Sequence, residues 1–323
     1  MIYNNILITG GAGMIGSHLI DEILLVNPDV KIFVLDNFSV GSSNNIPDIP
    51  NILSVDGSVL DKEVLDKLIS QVEIVYHLAT LKKGNDTDSS LDTLDTIVDS
   101  ARNVLEACLE HSVRLVLAST SDVYGYGTTF PFTETSPVSL GPFNTRRWAY
   151  AVAKLYTEQL AYEFYRSGVD VRIIRFFGGF SERSSMTWRG GHIPLFTYNA
   201  FHDLDIVIHG DGSQTRCVTH GSDLAKGALL AGLTENISGE LFNIGSEEEI
   251  TVKDAAERVL KHFPASKSKI LYVETDEIFG TYSEIQRRRP SLEKSREILG
   301  YSPTVSFDDG ISMLINKLEN IKD

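Results

Sequence analysis

The chain has 323 residues, 29 of them basic and 44 acidic, for a formal charge of −15. An acid excess of that size argues against nucleic acid or an anionic membrane as the main partner. With 42% hydrophobic and 23% charged residues, the composition is that of a soluble globular protein with one or two domains. Two cysteines, Cys108 and Cys217, lie in helix-like and strand-like segments without CxxC spacing. That pattern fits a reducing compartment, and neither a metal site nor a disulfide scaffold is expected. No apolar run approaches the roughly 20 residues of a membrane span, and Ile6-Leu7-Ile8 is too short for a signal peptide, so a cytoplasmic location is expected.

In chain order, Ile6 to Thr9, Lys31 to Asp36, Val72 to Leu78 and Arg114 to Ser119 read as buried strands alternating with helical patterns. Regular alternation predicts an α/β fold with a parallel sheet and right-handed crossovers. Leu91, Leu94, Val98, Ala101, Leu105 and Cys108 recur at helical spacing and predict one apolar stripe. A second helix is predicted from about Trp148 to Arg166, stopping at Gly168, and Val169 to Phe176 reads as a further strand. Beyond Ser181 the Gly, Ser, Trp and Arg rich stretch Ser184 to His192 suggests loops around a cleft. Glu240 to Ile244 reads as a strand returning to the main sheet. Helical patterns at Thr251 to His262, Leu292 to Leu299 and Asp309 to Asn320 suggest a small, mostly helical C-terminal part. Glu247-Glu248-Glu249 reads as the solvated first turn of a helix.

After the first strand comes Thr9-Gly10-Gly11-Ala12-Gly13-Met14-Ile15-Gly16, a GxxGxxG motif in strand-turn-helix context. Glycines there permit a tight turn, let the backbone approach a pyrophosphate and leave the helix N-terminus free to meet its charge. Asp36 ends the second strand 20 residues past Gly16, where a carboxylate can accept from adenosine ribose hydroxyls and would repel a 2′-phosphate. NAD is therefore favoured over NADP.

Tyr150-Ala151-Val152-Ala153-Lys154 places a phenol and an ammonium at i and i+4 on one helix face. A tyrosine with a pKa of about 10 is a poor base at neutral pH. A lysine cation beside it, with a positive nicotinamide, would stabilise the phenolate and let it take a hydroxyl proton as hydride leaves the same carbon. The pair follows by about 30 residues a strand ending Ala118-Ser119-Thr120-Ser121-Asp122-Val123-Tyr124-Gly125.

The set TGGAGMIG, Asp36, His77-Leu78-Ala79, STSDVYG and YAVAK resembles the extended short-chain dehydrogenase/reductase family of nucleotide-sugar epimerases, dehydratases and decarboxylases. The resemblance covers nearly the whole chain. It implies a Rossmann-type doubly wound parallel sheet in residues 1–180, with 217–245 returning to it. Residues 181–216 and 246–323 would form a smaller, mainly helical domain that binds the nucleotide sugar. It implies Thr120, Tyr150 and Lys154 as catalytic residues, with Ser121 and Asp122 beside them. The NAD-contacting set would be Gly10, Gly13, Met14, Ile15, Gly16, Asp36, Asn37, Ser58, Val59, Leu78, Ala79, Tyr150 and Lys154. Hydride would be returned, with no net redox change, and relatives dimerise through the two long helices, so a homodimer is expected. The sequence departs from the family pattern at Ser58, Ile97 and Gly178, where relatives often carry Asp, Asn and Asn, so the substrate pose does not transfer.

On the substrate side, His209-Gly210-Asp211-Gly212-Ser213-Gln214-Thr215-Arg216 is similar to the family's GDGxQxR segment, whose arginine binds the substrate diphosphate. His209 holds the position from which relatives stack an aromatic on the base, a surface turn being the alternative. Arg287-Arg288-Arg289-Pro290-Ser291 is either a solvated face or, with Phe279 to Glu284 before it and Trp148 before YAVAK, resembles UDP-glucuronate decarboxylases. There Arg288 would meet the sugar carboxylate or relay a proton. Thr120-Ser121-Asp122 lacks the Thr-Asp-Glu of 4,6-dehydratases and matches the Thr-Ser-Glu of decarboxylases except for one methylene. Decarboxylation is favoured slightly over 4-epimerisation, a cofactor-sensing binding module being a third alternative. Polysaccharide biosynthesis is the expected setting.

Overall fold

The computed structural model describes residues 3–81, 90–142, 145, 148–274 and 285–322. In chain order the first elements are β1 (Asn5–Thr9), α1 (Met14–Val26), β2 (Lys31–Asp36), β3 (Ile52–Asp56), α2 (Lys62–Ile69), β4 (Ile74–His77), α3 (Ser90–His111) and β5 (Arg114–Thr120). After these come α4 (Trp148–Arg166), β6 (Val171–Phe176), β7 (Gly178–Phe180), α5 (His192–Phe201), β8 (Ile206–His209), β9 (Thr215–His220), α6 (Gly221–Leu233) and β10 (Leu241–Ile244). The last are β11 (Glu249–Thr251), α7 (Val252–Lys261), β12 (Ile270–Val273), α8 (Glu293–Leu299) and α9 (Phe307–Lys322).

The central sheet runs β10-β6-β5-β4-β1-β2-β3, and every pairing in it is parallel. Its inner strands bury both faces. Ile6 and Ile8 of β1 join Leu19, Ile20 and Ile23 of α1 and Leu224 and Ala228 of α6. Leu7 points the other way, among Leu105 and Cys108 of α3 and Ala161 of α4. Burial on both faces is why these strands read as unbroken apolar runs, each such side chain contributing about 1.5–3 kcal/mol. The strand order reverses at β1, which lies between β2 and β4, and opens a crevice beyond the C-terminal ends of β1 and β4.

Helix α4 has the bounds its sequence predicts, and Gly168 closes the turn behind it at φ +108°. In α3 the buried side is Ile97, Ala101, Val104, Leu105 and Cys108, whereas Leu91 is 66% exposed. The predicted stripe is thus rotated at its start. The C-terminal region is also less helical than predicted. Strands β7, β9 and β11 form a small mixed sheet and β8 pairs with β12. With α5, α7 and α9 they enclose a third apolar cluster around Ile193, Phe196, Ile208, Val259 and Ile311. Nor does Glu247-Glu248-Glu249 open a helix. Glu249 begins β11 and each carboxylate meets an arginine: Glu247 with Arg296, Glu248 with Arg258, Glu249 with Arg287. Helix α7 starts after them, where the Thr251 hydroxyl accepts from Asp254 N at 2.9 Å. Among the described residues no helix is long and apolar enough to cross a membrane.

Candidate active site

The loop between β1 and α1 is shaped for a phosphate. Gly10 has φ +73°, and a Cβ there would lie 2.7 Å from Ala79 N; one on Gly16 would lie 2.3 Å from Gly10 O. Only glycine fits such approaches. Gly13 is the N-cap of α1 and no side chain caps that helix, so its first-turn amides at Met14 and Ile15 face the loop without a competing side chain. Asp36 Oδ2 accepts from Ala12 N and Oδ1 from Phe38 N, both at 2.9 Å. Those bonds orient the carboxylate and leave each oxygen a lone pair for a ribose hydroxyl. Asn37 Oδ1 accepts from Ser39 N, and Ser58 Oγ from Leu60 N. Val59 is buried, and the amide of Ala79, beyond Leu78, donates to Thr9 Oγ1 at 3.4 Å. The glycine cradle and the acidic residue at the end of β2 fit NAD.

At the end of β5, Thr120 Oγ1 accepts from Asp122 N at 3.1 Å and caps the short turn that holds buried Ser121. Lys154, 3% exposed, donates from Nζ to Ala118 O at 2.9 Å. Burial lowers its pKa to about 8, and the Glu158 carboxylate opposes that fall. Tyr150 shifts the other way. Burial raises its phenol well above 10, the Asp122 carboxylate adds to the rise, and a hydrogen bond with the Thr80 side chain opposes it. A buried ammonium must be solvated by the protein, and the Ala118 carbonyl does so; the charge acting on Tyr150 is that of Asp122.

The basic run Arg287 to Arg289 lies along residues 130–132, with Phe132 N donating to Arg289 O and Ser291 N to Phe132 O. An extended backbone sends alternate side chains to opposite sides. Arg287 goes outward, bidentate on Glu249 and 4.9 Å over the Phe130 ring. Arg288 goes inward and its Nη1 donates to Asp122 Oδ1 at 2.5 Å, the two side chains being only 12% and 16% exposed. Its Nε is buried without a hydrogen-bond partner among the described residues. Arg216 donates from Nη1 to Thr215 O and to Ile285 O, at 2.7 and 2.8 Å, and so ties β9 to the start of the same segment. Its charge lowers the pKa of His192, already depressed by burial, to about 4. His209 ends β8, half-buried, its carbonyl accepting from Gln214 Nε2 at 2.9 Å. The predicted motif stretch Phe279 to Glu284 lies outside the described residues.

Several partners carry little or no signal in the sequence. Thr80 stands one position beyond His77-Leu78-Ala79, the nearest thing to a signal among them. Glu158 is one turn past Lys154, and its partner Arg175 lies on β6 among apolar neighbours, 17 residues away. A His18, Glu182, His220 cluster also forms. There His220 Nδ1 lies 2.8 Å from Ser222 Oγ and its Nε2 lies 3.0 Å from Glu182 Oε2, at the β9–α6 junction.

A model of the NAD dependent epimerase/dehydratase family matches residues 6–245. A UDP-N-acetyl-alpha-D-glucosaminuronate decarboxylase of Bacillus cytotoxicus is 36% identical over 327 residues, covering 98% of each chain. UDP-glucuronic acid decarboxylase 1 of Danio rerio is 32% identical, covering 96% of this chain and 71% of that one. The solved UDP-glucuronic acid 4-epimerase of Bacillus cereus, in complex with UDP-glucuronic acid and NAD, matches with a TM-score of 0.87 at 26% identity, covering 98% of this chain and 99% of that one.

Proposed function

The chain belongs to the NAD dependent epimerase/dehydratase family, and we propose that within it this enzyme decarboxylates a UDP-linked hexuronate. The observation that carries the reading is the inward Arg288 held at 2.5 Å on Asp122, the carboxylate that acts on Tyr150. A neutral sugar has no use for a guanidinium there. A uronate carboxylate does, and Arg288 Nε has a donor to give it.

Bound NAD supplies the hydride acceptor at sugar C4, returns the same hydride, and brings positive charge to the site. Gly10, Gly13 and Gly16 with the α1 amides would hold its pyrophosphate and Asp36 its ribose. Tyr150 takes the proton of the C4 hydroxyl while Thr120 hydrogen-bonds that oxygen, and Lys154 holds the cofactor ribose. The resulting 4-keto uronate is a β-keto acid. Its C5–C6 bond breaks, CO2 leaves, and the electron pair passes into an enolate that Arg288 and the Tyr150 hydroxyl stabilise. A solvent proton, delivered by way of Asp122, reaches C5, and Tyr150 returns its proton to O4. The net change is uronate plus a proton to pentose plus CO2.

Under this reading residues 1–180 with 217–245 carry NAD, and 181–216 with 246–323 carry the nucleotide sugar, with Arg216 on the diphosphate and His209 on the base. A cytoplasmic homodimer serving polysaccharide synthesis completes it. The outward faces of α3 and α4 support the dimer: Leu91, Val152 and Tyr156 are 66%, 45% and 45% exposed, an apolar surface suited to a two-fold four-helix contact. The test is incubation with UDP-glucuronate and its 2-acetamido analogue, read by mass spectrometry. Loss of CO2 supports decarboxylation. Interconversion of UDP-hexoses without mass change would replace it with 4-epimerisation.

A further inference from the structure

A buried polar chain that the proposed reaction does not use begins one turn of α4 beyond Lys154. There Glu158 is 3% exposed, and both its oxygens are taken. Arg175 donates from Nε to Oε1 at 2.8 Å and from Nη2 to Oε2 at 2.6 Å, and Ser119 Oγ donates to Oε1. Arg175 in turn lies 4.7 Å over the Tyr124 ring, whose hydroxyl donates to Asn243 Oδ1 at 2.7 Å. Asn243 Nδ2 donates to Phe132 O, the carbonyl that also receives Ser291 N on the segment bearing Arg288. The carboxylate of Glu158 is therefore fixed by three hydrogen bonds from two residues.

The polar and titratable groups on α4 and on the strands around Lys154 come from four elements. From α4 there are Glu158 and Tyr150, and from β5 Ala118 O and Ser119. His77 of β4 is held neutral by burial and by the Lys154 charge, its pKa near 3. Arg175 of β6 is cationic. Among the described residues Glu158 is the anion whose charge acts on Lys154. We propose that Glu158 is a positioning residue: fixed by Arg175 and Ser119, it keeps the Lys154 ammonium charged inside the fold and so sets the upper pH limit of the reaction without touching cofactor or sugar. The pH limit rests on Lys154 serving in the proposed reaction; the tuning of Lys154 does not.

The test uses the full chain stripped of nucleotide. Unfolding free energy is measured in urea from pH 7 to 10.5 for wild type and Lys154→Met, whose difference traces the Lys154 titration. The same difference is taken in a Glu158→Gln background. Loss of the anion should move the midpoint down by about one pH unit, tenfold in proton affinity. A midpoint unmoved by the substitution would make Glu158 a packing group and overturn the proposal. Because Glu158→Gln strands a buried guanidinium and can fail to fold, the Glu158→Gln/Arg175→Gln background, neutral at both positions, is the second arm. Compared with Arg175→Gln, from which it differs only in the Glu158 charge, it should have a lower midpoint, and equal midpoints in those two backgrounds are equally fatal. The alkaline limb of turnover separates the two readings: if the midpoint and the limb move together, both stand. If the midpoint moves and the limb does not, the tuning is supported and the place of Lys154 in the reaction is overturned.

Discussion

Replacing Arg288 by alanine separates a residue that recognises the substrate from one that merely packs. In the wild type its Nη1 meets Asp122 Oδ1 at 2.5 Å in a pair only 12% and 16% exposed. Removal takes that donor from Asp122 and takes away the cation that a uronate carboxylate would meet. Deleting one partner of a desolvated pair costs roughly 2–5 kcal/mol, and at about 1.4 kcal/mol per decade that is a fall in kcat/KM of about 30-fold to several thousandfold. Arg288→Lys keeps the charge but loses the planar fork, so it should recover part of the loss. The assay is CO2 release from the UDP-uronate, with thermal melting to confirm the fold. A variant within about threefold of wild type, far below the loss a desolvated pair implies, would refute the reasoning, since a guanidinium that neutralises the substrate carboxylate cannot be removed at no cost.

Tyr150→Phe keeps the ring and loses the acid/base oxygen. Turnover should fall by roughly 10²–10⁴ while NAD content, read from absorbance of the purified protein, is unchanged; near wild-type activity would remove Tyr150 from the mechanism. For Lys154 the sign comes from burial. Its pKa falls from 10.5 to about 8 on folding, so the folded chain binds fewer protons than the unfolded one between those values. Relative to Lys154→Met, wild-type stability should therefore rise with pH across that window, by about 3 kcal/mol in total, and a flat difference in urea unfolding would contradict it. Tyr156→Glu puts a charge into the exposed apolar surface of α4 and should give a monomeric mass by light scattering at micromolar concentration. A monomeric wild type would dispose of that interface.

The parts of the molecule legible in the sequence are those whose cause is local. Ile6 to Thr9 and Lys31 to Asp36 announce themselves because a strand buried on both faces has no polar alternation. Gly10 and Gly16 announce themselves through GxxGxxG spacing between a strand and a helix, though the approach that demands Gly10, a Cβ 2.7 Å from Ala79 N, is long-range. Helix α4 is legible end to end, since its apolar face and Gly168 fix it without reference to the rest of the chain. The small sheets are not legible. Strands of three or four residues such as β7, β8 and β12 have too little periodicity to register, and only pairing with distant partners makes them strands.

The same division runs through the site. Tyr150 and Lys154 are one helical turn apart, so their shared face can be read from spacing alone. The field each feels there cannot, because it comes from other elements: Asp122 raises the Tyr150 phenol, and Ala118 O takes the Lys154 ammonium. The basic run shows this most sharply. As a sequence, Arg287, Arg288 and Arg289 form one basic run that a solvated face could explain, and only the family resemblance singles out Arg288. The structure divides the run instead. Phe132 pairs with the segment as a neighbouring strand would, and the resulting two-residue alternation sends Arg287 to Glu249 at the surface and Arg288 to Asp122 inside. The ion pair that results spans 166 residues of chain, and the difference between adjacent arginines is created by that long-range pairing rather than by anything in their own neighbourhood.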